Sequence, residues 1–102
     1  MVQTYPRKKI ELIVENAYLP AMLTMIDASG ATGYTVIRDI LGRGHHGERG
    51  REALRENGNA LVMVITTDAI AETILVGSQR ILGDGFGIVT LSDVQVLRPG
   101  HF

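Results

Sequence analysis

At 102 residues the chain has room for one hydrophobic core and not two. Ten basic residues against eleven acidic ones give a net charge of -1, which argues against nonspecific nucleic-acid binding and confines any cationic function to a local patch. With no cysteine there can be no disulfide, thiol catalysis or cysteine-ligated metal, and no apolar run approaches the roughly 20 residues of a membrane span. Residues 1–9 are polar and the apolar run 10–14 is too short for a signal peptide, so a cytoplasmic protein without membrane insertion is expected.

Lys9 to Val14 (KIELIV) mixes alternation with a β-branched end and reads as the first strand. After Ala17, the apolar residues Leu19, Met22, Leu23 and Ile26 fall at helical spacing. Pro20 sits where a first turn tolerates it, and Gly30 follows as a stop. Tyr34 to Leu41 (YTVIRDIL) is aromatic and β-branched and predicts a second strand. Ala60 to Thr66 (ALVMVIT) is almost wholly apolar, as expected of a central strand buried on both faces.

Thr67 can cap the next helix, with Asp68 and Glu72 near its positive end. Its buried stripe runs through Ile70, Ala71, Ile74, Leu75, Ser78, Ile81 and Leu82, and Gly77 weakens it slightly. Residues 83–87 (GDGFG) form a turn by composition, and Ile88 to Leu97 alternates into a last strand. The order β-α-β, loop, β-α-β predicts one α+β domain over 1–102, a ferredoxin-like βαββαβ fold with an antiparallel sheet. Residues 1–5 and 99–102 read as tails. Two helices cover one face of such a sheet, and since strand residues such as Val36, Ile40, Val62 and Val64 are apolar on whichever side they point, oligomerisation through the open face is expected.

Between the two halves lies the segment Gly42 to Gly58, which carries five glycines, four arginines, three glutamates and the pair His45-His46. A connection this long without a core face predicts a flexible working loop. Its GRGHHG matches GxGxxG, but Glu48 to Asn57 offers only Ala53 and Leu54 as apolar helix residues, and the chain is too short for a dinucleotide-binding sheet. The arginines at 43, 49, 51 and 55 suit phosphates or carboxylates, against a solvated turn paired with Glu48, Glu52 and Glu56. His45 and His46 could ligate a metal with His101, yet they lack HxH or HxxxH spacing, so no metal site is assigned. Ser29, Ser78 and Ser92 lie outside any nucleophile motif, and no catalytic constellation is visible.

Two further glycine turns matter: GATGYTV (Gly30 to Val36) and GDG (Gly83 to Gly85). Backbone amides in such turns can cradle phosphate. Each precedes a strand and follows a helix, which places both on one edge of the molecule, where one ligand cleft could use both.

In these motifs and their order the chain resembles the PII signal-transduction superfamily over residues 9–98. GATGYTV resembles the version found in PII-like proteins linked to inorganic-carbon uptake and carboxysomes. The resemblance implies a homotrimer of ferredoxin-like subunits with adenine nucleotides in the clefts between them. It also implies that the 42–58 loop, the counterpart of the family's T-loop, reports occupancy to a protein partner. Carried over by motif, Thr35 contacts the adenine, Gly33 and Tyr34 shape the entry, and Val64 lines the pocket. Gly83, Asp84 and Gly85 supply backbone contacts to phosphate, and Arg98 approaches the phosphates.

Where family members that bind ATP tightly have a lysine directly after GDG, this chain has Phe86, and where they carry two arginines late in strand four it has Arg98 followed by Pro99. The lost positive charge favours ADP or AMP over ATP. The loop lacks the tyrosine modified in nitrogen-sensing members, so regulation by uridylylation is not expected. Bicarbonate is the second ligand suggested by the carbon-linked relatives, with Arg43, His45, Arg49 and Arg51 as candidate donors and a bicarbonate transporter or carboxysome component as candidate partner. The alternative reading is a trimeric ferredoxin-like metal-binding protein using the loop histidines. On either reading the chain is not an enzyme.

Overall fold

The computed structural model describes residues 1–44, 47–48 and 58–102, with residues 43, 44, 47 and 48 described in backbone only. Strand β1 (Tyr5–Glu15) runs through a 3-10 turn at Asn16–Tyr18 into helix α1 (Leu19–Ala28), which is followed by β2 (Thr35–Arg38). A two-rung ladder, β3 (Arg43–Gly44) with β4 (Gly47–Glu48), stands apart from the main sheet. The second half is β5 (Asn59–Thr66), α2 (Asp68–Leu82) and β6 (Gly87–Val96), closed by a 3-10 turn at Pro99–His101. The four long strands form an antiparallel sheet in the order β2-β5-β1-β6, the α+β arrangement expected from the sequence.

Register decides which side chains meet the helices. Ile10 lies opposite Val64, Leu12 opposite Val62 and Val14 opposite Ala60, so one face of the two central strands is wholly apolar. All six are buried, and Leu19, Met22 and Ile26 of α1 with Ala71 and Ile74 of α2 close over them. At about 25 cal/mol per Å² of apolar surface, this layer is the main source of stability. Val62 and Val64 therefore face the helices. The alternate residues Leu61, Met63 and Ile65 of β5, with the half-exposed Ile37 of β2, make the open face apolar.

Both helices end as their sequences direct. Pro20 lies in the first turn of α1, and Gly30, at φ 95°, takes the left-handed conformation that stops it. The Ile70 N–H donates to the Thr67 hydroxyl at 3.4 Å, capping α2. Gly77 has a packing role that its low helix propensity hides: a Cβ there would stand 2.6 Å from Met25 Cγ. The two helices cross at that point.

β2 is shorter than the apolar run that predicts it. Its ladder stops at Arg38, because Asp39 adopts φ 57° and turns the chain away. Among the described residues, the Ile40 N–H alone continues the pairing, donating to the Asn59 carbonyl at 3.3 Å. Most of the 42–58 segment, including the expected loop flexibility, lies outside the described residues.

Candidate functional site

A cleft of about 580 Å³ opens on the uncovered face of the sheet, where the α1–β2 junction meets the end of β5. Thr32, Gly33, Tyr34 and Thr35 form one side. Thr35 pairs with Met63, which places Met63 and, two residues on, Ile65 as an apolar floor. The third side is the C-terminal turn, residues 100–102, which folds back over the sheet instead of trailing away as a tail.

Three hydrogen bonds from distant parts of the chain hold that turn. Arg7 Nη2 donates to the Pro99 carbonyl at 3.0 Å and Arg7 Nε to the Phe102 carbonyl at 3.3 Å. The Thr32 hydroxyl donates to the His101 carbonyl at 2.6 Å. Within the turn, the His101 N–H reaches the Arg98 carbonyl and the Phe102 N–H the Pro99 carbonyl, both at 3.2 Å. The cleft is thus mostly apolar, with two threonines and exposed backbone at its rim, the composition usual for small-molecule sites.

Gly33 is exposed, has no positive φ, and among the described residues nothing beyond its two chain neighbours lies within 4 Å of where a Cβ would sit. Nothing in the fold asks for glycine at that position, whereas close approach of a ligand to the backbone would. Gly33→Ala is expected to leave the urea midpoint unchanged and to weaken ligand binding by about tenfold. A stability loss without a binding loss in calorimetry would reverse this assignment.

The GDG turn is built differently, because the fold itself requires both glycines. Gly83 closes α2, its N–H donating to the Gln79 carbonyl at 3.0 Å, with φ 52° and ψ -120°, a region essentially closed to other residues. The Gly85 N–H donates to the Leu82 carbonyl at 2.6 Å, and a Cβ on Gly85 would lie 1.9 Å from the Tyr18 hydroxyl. Asp84 between them is exposed. Gly83 and Gly85 line a second cavity of about 360 Å³ with Ser78, Gln79 and Leu82.

These two turns lie at opposite ends of the sheet, not on one edge. Thr35 is level with Met63, Glu11 and Thr90, whereas Gly87, which follows the GDG turn, is level with Val14, Ala60 and Arg38. The reason is strand direction: β2 is antiparallel to β5, β5 to β1 and β1 to β6, so β2 and β6 run oppositely and start at opposite ends. Exposed Arg98, beyond the end of β6, falls at the Thr35 end. The 42–58 segment leaves β2 at the GDG end.

Val64 does not line the cleft with its side chain. It is fully buried in the helix–sheet core, and the pleat gives the cleft to Met63 and Ile65 on either side. Of the loop residues expected to bind an anion, Arg43 is described in backbone only, and His45, Arg49 and Arg51 lie outside the described residues. The same holds for the His45-His46 pair of the metal alternative, and among the described residues no group of three or more acidic or histidine side chains could hold a metal ion. Also among the described residues, no helix is long and apolar enough to cross a membrane. Near the cleft end of β1, Lys8 bonds Asp93 on β6, and this hydrogen bond, aided by the charges of Asp93 and Asp68, raises the Lys8 pKa. The pair is solvent-exposed and contributes little to stability.

The sequence model of the family described as "Nitrogen regulatory protein P-II" matches residues 7–101. The chain belongs to the P-II family. The fold resembles CPII, a nitrogen regulatory PII-like protein from Thiomonas intermedia K12. Bound to ADP, AMP and bicarbonate, CPII superposes with a TM-score of 0.90 at 29% identity over 100% of this chain and 98% of its own. Bound to ADP and bicarbonate, it gives a TM-score of 0.89 at 27% identity over 100% and 99% of the two chains. Bound to ADP, AMP and acetate, it gives 0.76 at 30% identity over 99% and 98%. A comparison with curated proteins found no match. Sequence reasoning missed Thr32, Met63, Ile65 and the C-terminal turn. The last had no local signal, because what holds it is 69 to 95 residues away.

Proposed function

We propose that this P-II protein is a trimeric sensor that binds an adenine nucleotide, ADP or AMP in preference to ATP, in clefts shared between subunits. Bicarbonate is its second ligand. The observation that supports this reading is that the two glycine turns enter the sheet from opposite ends, so the Thr35 end of one subunit set against the GDG end of the next can hold one nucleotide between them. Thr35, Gly33 and Tyr34 take the base, with Met63 and Ile65 beneath it. The backbone of Gly83, Asp84 and Gly85 takes phosphate, together with Arg98 of the opposing subunit. Phe86 in place of a lysine leaves too little charge there for a triphosphate. CPII, bound to ADP, AMP and bicarbonate, supports the same ligand set, and its acetate complex adds a second small planar anion.

Arg43, His45, Arg49 and Arg51 are the donors offered to bicarbonate, and the 42–58 segment is the relay. Its base lies at the same end of the sheet as the GDG turn, which allows phosphate occupancy and loop conformation to be coupled there. The partner is a component of inorganic-carbon metabolism, such as a bicarbonate transporter or carboxysome component, met in the cytoplasm, and the protein acts by binding and not by catalysis. Calorimetry with ADP, AMP and ATP, each with and without bicarbonate, tests this. ADP or AMP is expected to bind more tightly than ATP, and bicarbonate to shift the nucleotide affinity. An ATP preference of about tenfold or more overturns the nucleotide assignment. Identical affinities at zero and high bicarbonate remove the second ligand, because linkage is reciprocal.

A further inference from the structure

We infer that Arg7, far from the cleft in sequence, is a positioning residue for the nucleobase site: it holds in place the C-terminal turn that forms the cleft's third side. The inference rests on the adenine-nucleotide reading above and adds a residue that the family motif does not supply. A four-residue turn closed by two internal hydrogen bonds is marginal by itself, and helix-like turns leave their last carbonyls without partners. Here those carbonyls are taken up from outside. Half-buried Arg7 spans the turn with its planar fork, binding the Pro99 and Phe102 carbonyls at its two ends, while Thr32 fixes the His101 carbonyl between them. Lysine, a compact point charge instead of a fork, could hold one of these carbonyls but not bridge both.

The wall so held is chemically suited to a purine. Phe102 supplies an aromatic residue facing the same cleft as Met63 and Ile65, and Thr32 and Thr35 bring hydroxyls to it. A purine presents two apolar faces and a polar edge, and stacking on aromatic and apolar side chains with hydrogen bonds at the edge is how such bases are held. Arg7 itself is spent on carbonyls and does not line the cleft. It acts through the turn.

Calorimetry with adenosine and ADP on the parent, Arg7→Ala, Phe102→Ala, the double variant and Arg7→Lys tests this, with light scattering confirming unchanged mass. Each single alanine variant should weaken both ligands by about tenfold, and the double variant should lose no more than the worse single one, since both remove the same wall. Arg7→Lys should retain part of the affinity. The ADP-to-adenosine affinity ratio should stay constant throughout, a result that general destabilisation would not produce. Additive losses, or a changed ratio, would mean that Arg7 meets the ligand directly and overturn the positioning role. Unchanged affinity in Phe102→Ala, a variant independent of Arg7 folding, overturns the wall while leaving the nucleotide reading intact. A parent that binds neither ligand overturns both.

Discussion

Mixing two variants that cannot bind nucleotide should restore binding. Gly33→Trp fills the cleft end of each subunit and Asp84→Trp obstructs the GDG end; both positions are exposed, so neither change burdens the core. Each variant alone is expected to bind no ADP. On the proposed reading, with the two turns at opposite ends of one sheet, an intact site needs a sound Thr35 end from one subunit and a sound GDG end from its neighbour. In a ring assembled at random from equal amounts, each site meets that condition with a probability of one half times one half. Co-refolding the two from denaturant should therefore recover about a quarter of the parent's sites. Full absence of binding in the mixture, with mixed trimers confirmed by mass, would place the whole site within one subunit. The register of the sheet argues against that outcome, since β2 and β6 start at opposite ends.

Gly85→Ala should cost about 1 to 3 kcal/mol in urea unfolding, the range for forcing extra volume into a packed site. The added methyl would meet the Tyr18 hydroxyl at 1.9 Å, its ring carbon at 2.8 Å and the Leu82 carbonyl at 2.9 Å, and the last of these is backbone. Tyr18→Phe removes the nearest of the three. The pair Gly85→Ala/Tyr18→Phe should then be more stable than Gly85→Ala alone but less stable than the parent. A midpoint for Gly85→Ala equal to the parent's would show that this glycine is kept for ligand approach and not for packing. The contrast with Gly33 is the point of the experiment: one glycine answers to the fold and the other has no structural duty.

The sequence carries the elements well and their directions poorly. The capped start of α2 at Thr67, the Gly30 stop and the Ile10-Leu12-Val14 stripe are local signals, and each stands where the residues place it. β2 was legible as a strand but not in extent, since Ile40 and Leu41 look as strand-like as Val36 and the turn is made by the unusual φ of Asp39. Placing both glycine turns on one edge follows from reading each as a helix-to-strand junction, but it leaves out that the strands they enter are antiparallel across the sheet. Val64 illustrates the same limit at the scale of one residue. In an unbroken apolar run nothing marks which alternate side chains face the helices, and only pairing with Ile10 settles it. The C-terminal turn has no periodicity to read, and its order comes from Arg7 and Thr32.

If the site is divided between subunits as proposed, the opposed directions of β2 and β6 also tie sensing to abundance. A site divided between polypeptides exists only while they are associated, so a dilute population of lone subunits is blind to its ligand however well each is folded. By mass action the ligand in turn acts as a clamp, drawing subunits together at concentrations where they would otherwise separate. The apparent nucleotide affinity should accordingly sharpen as protein concentration rises through the dissociation range, and the cell can set the response by expression level as well as by metabolite level.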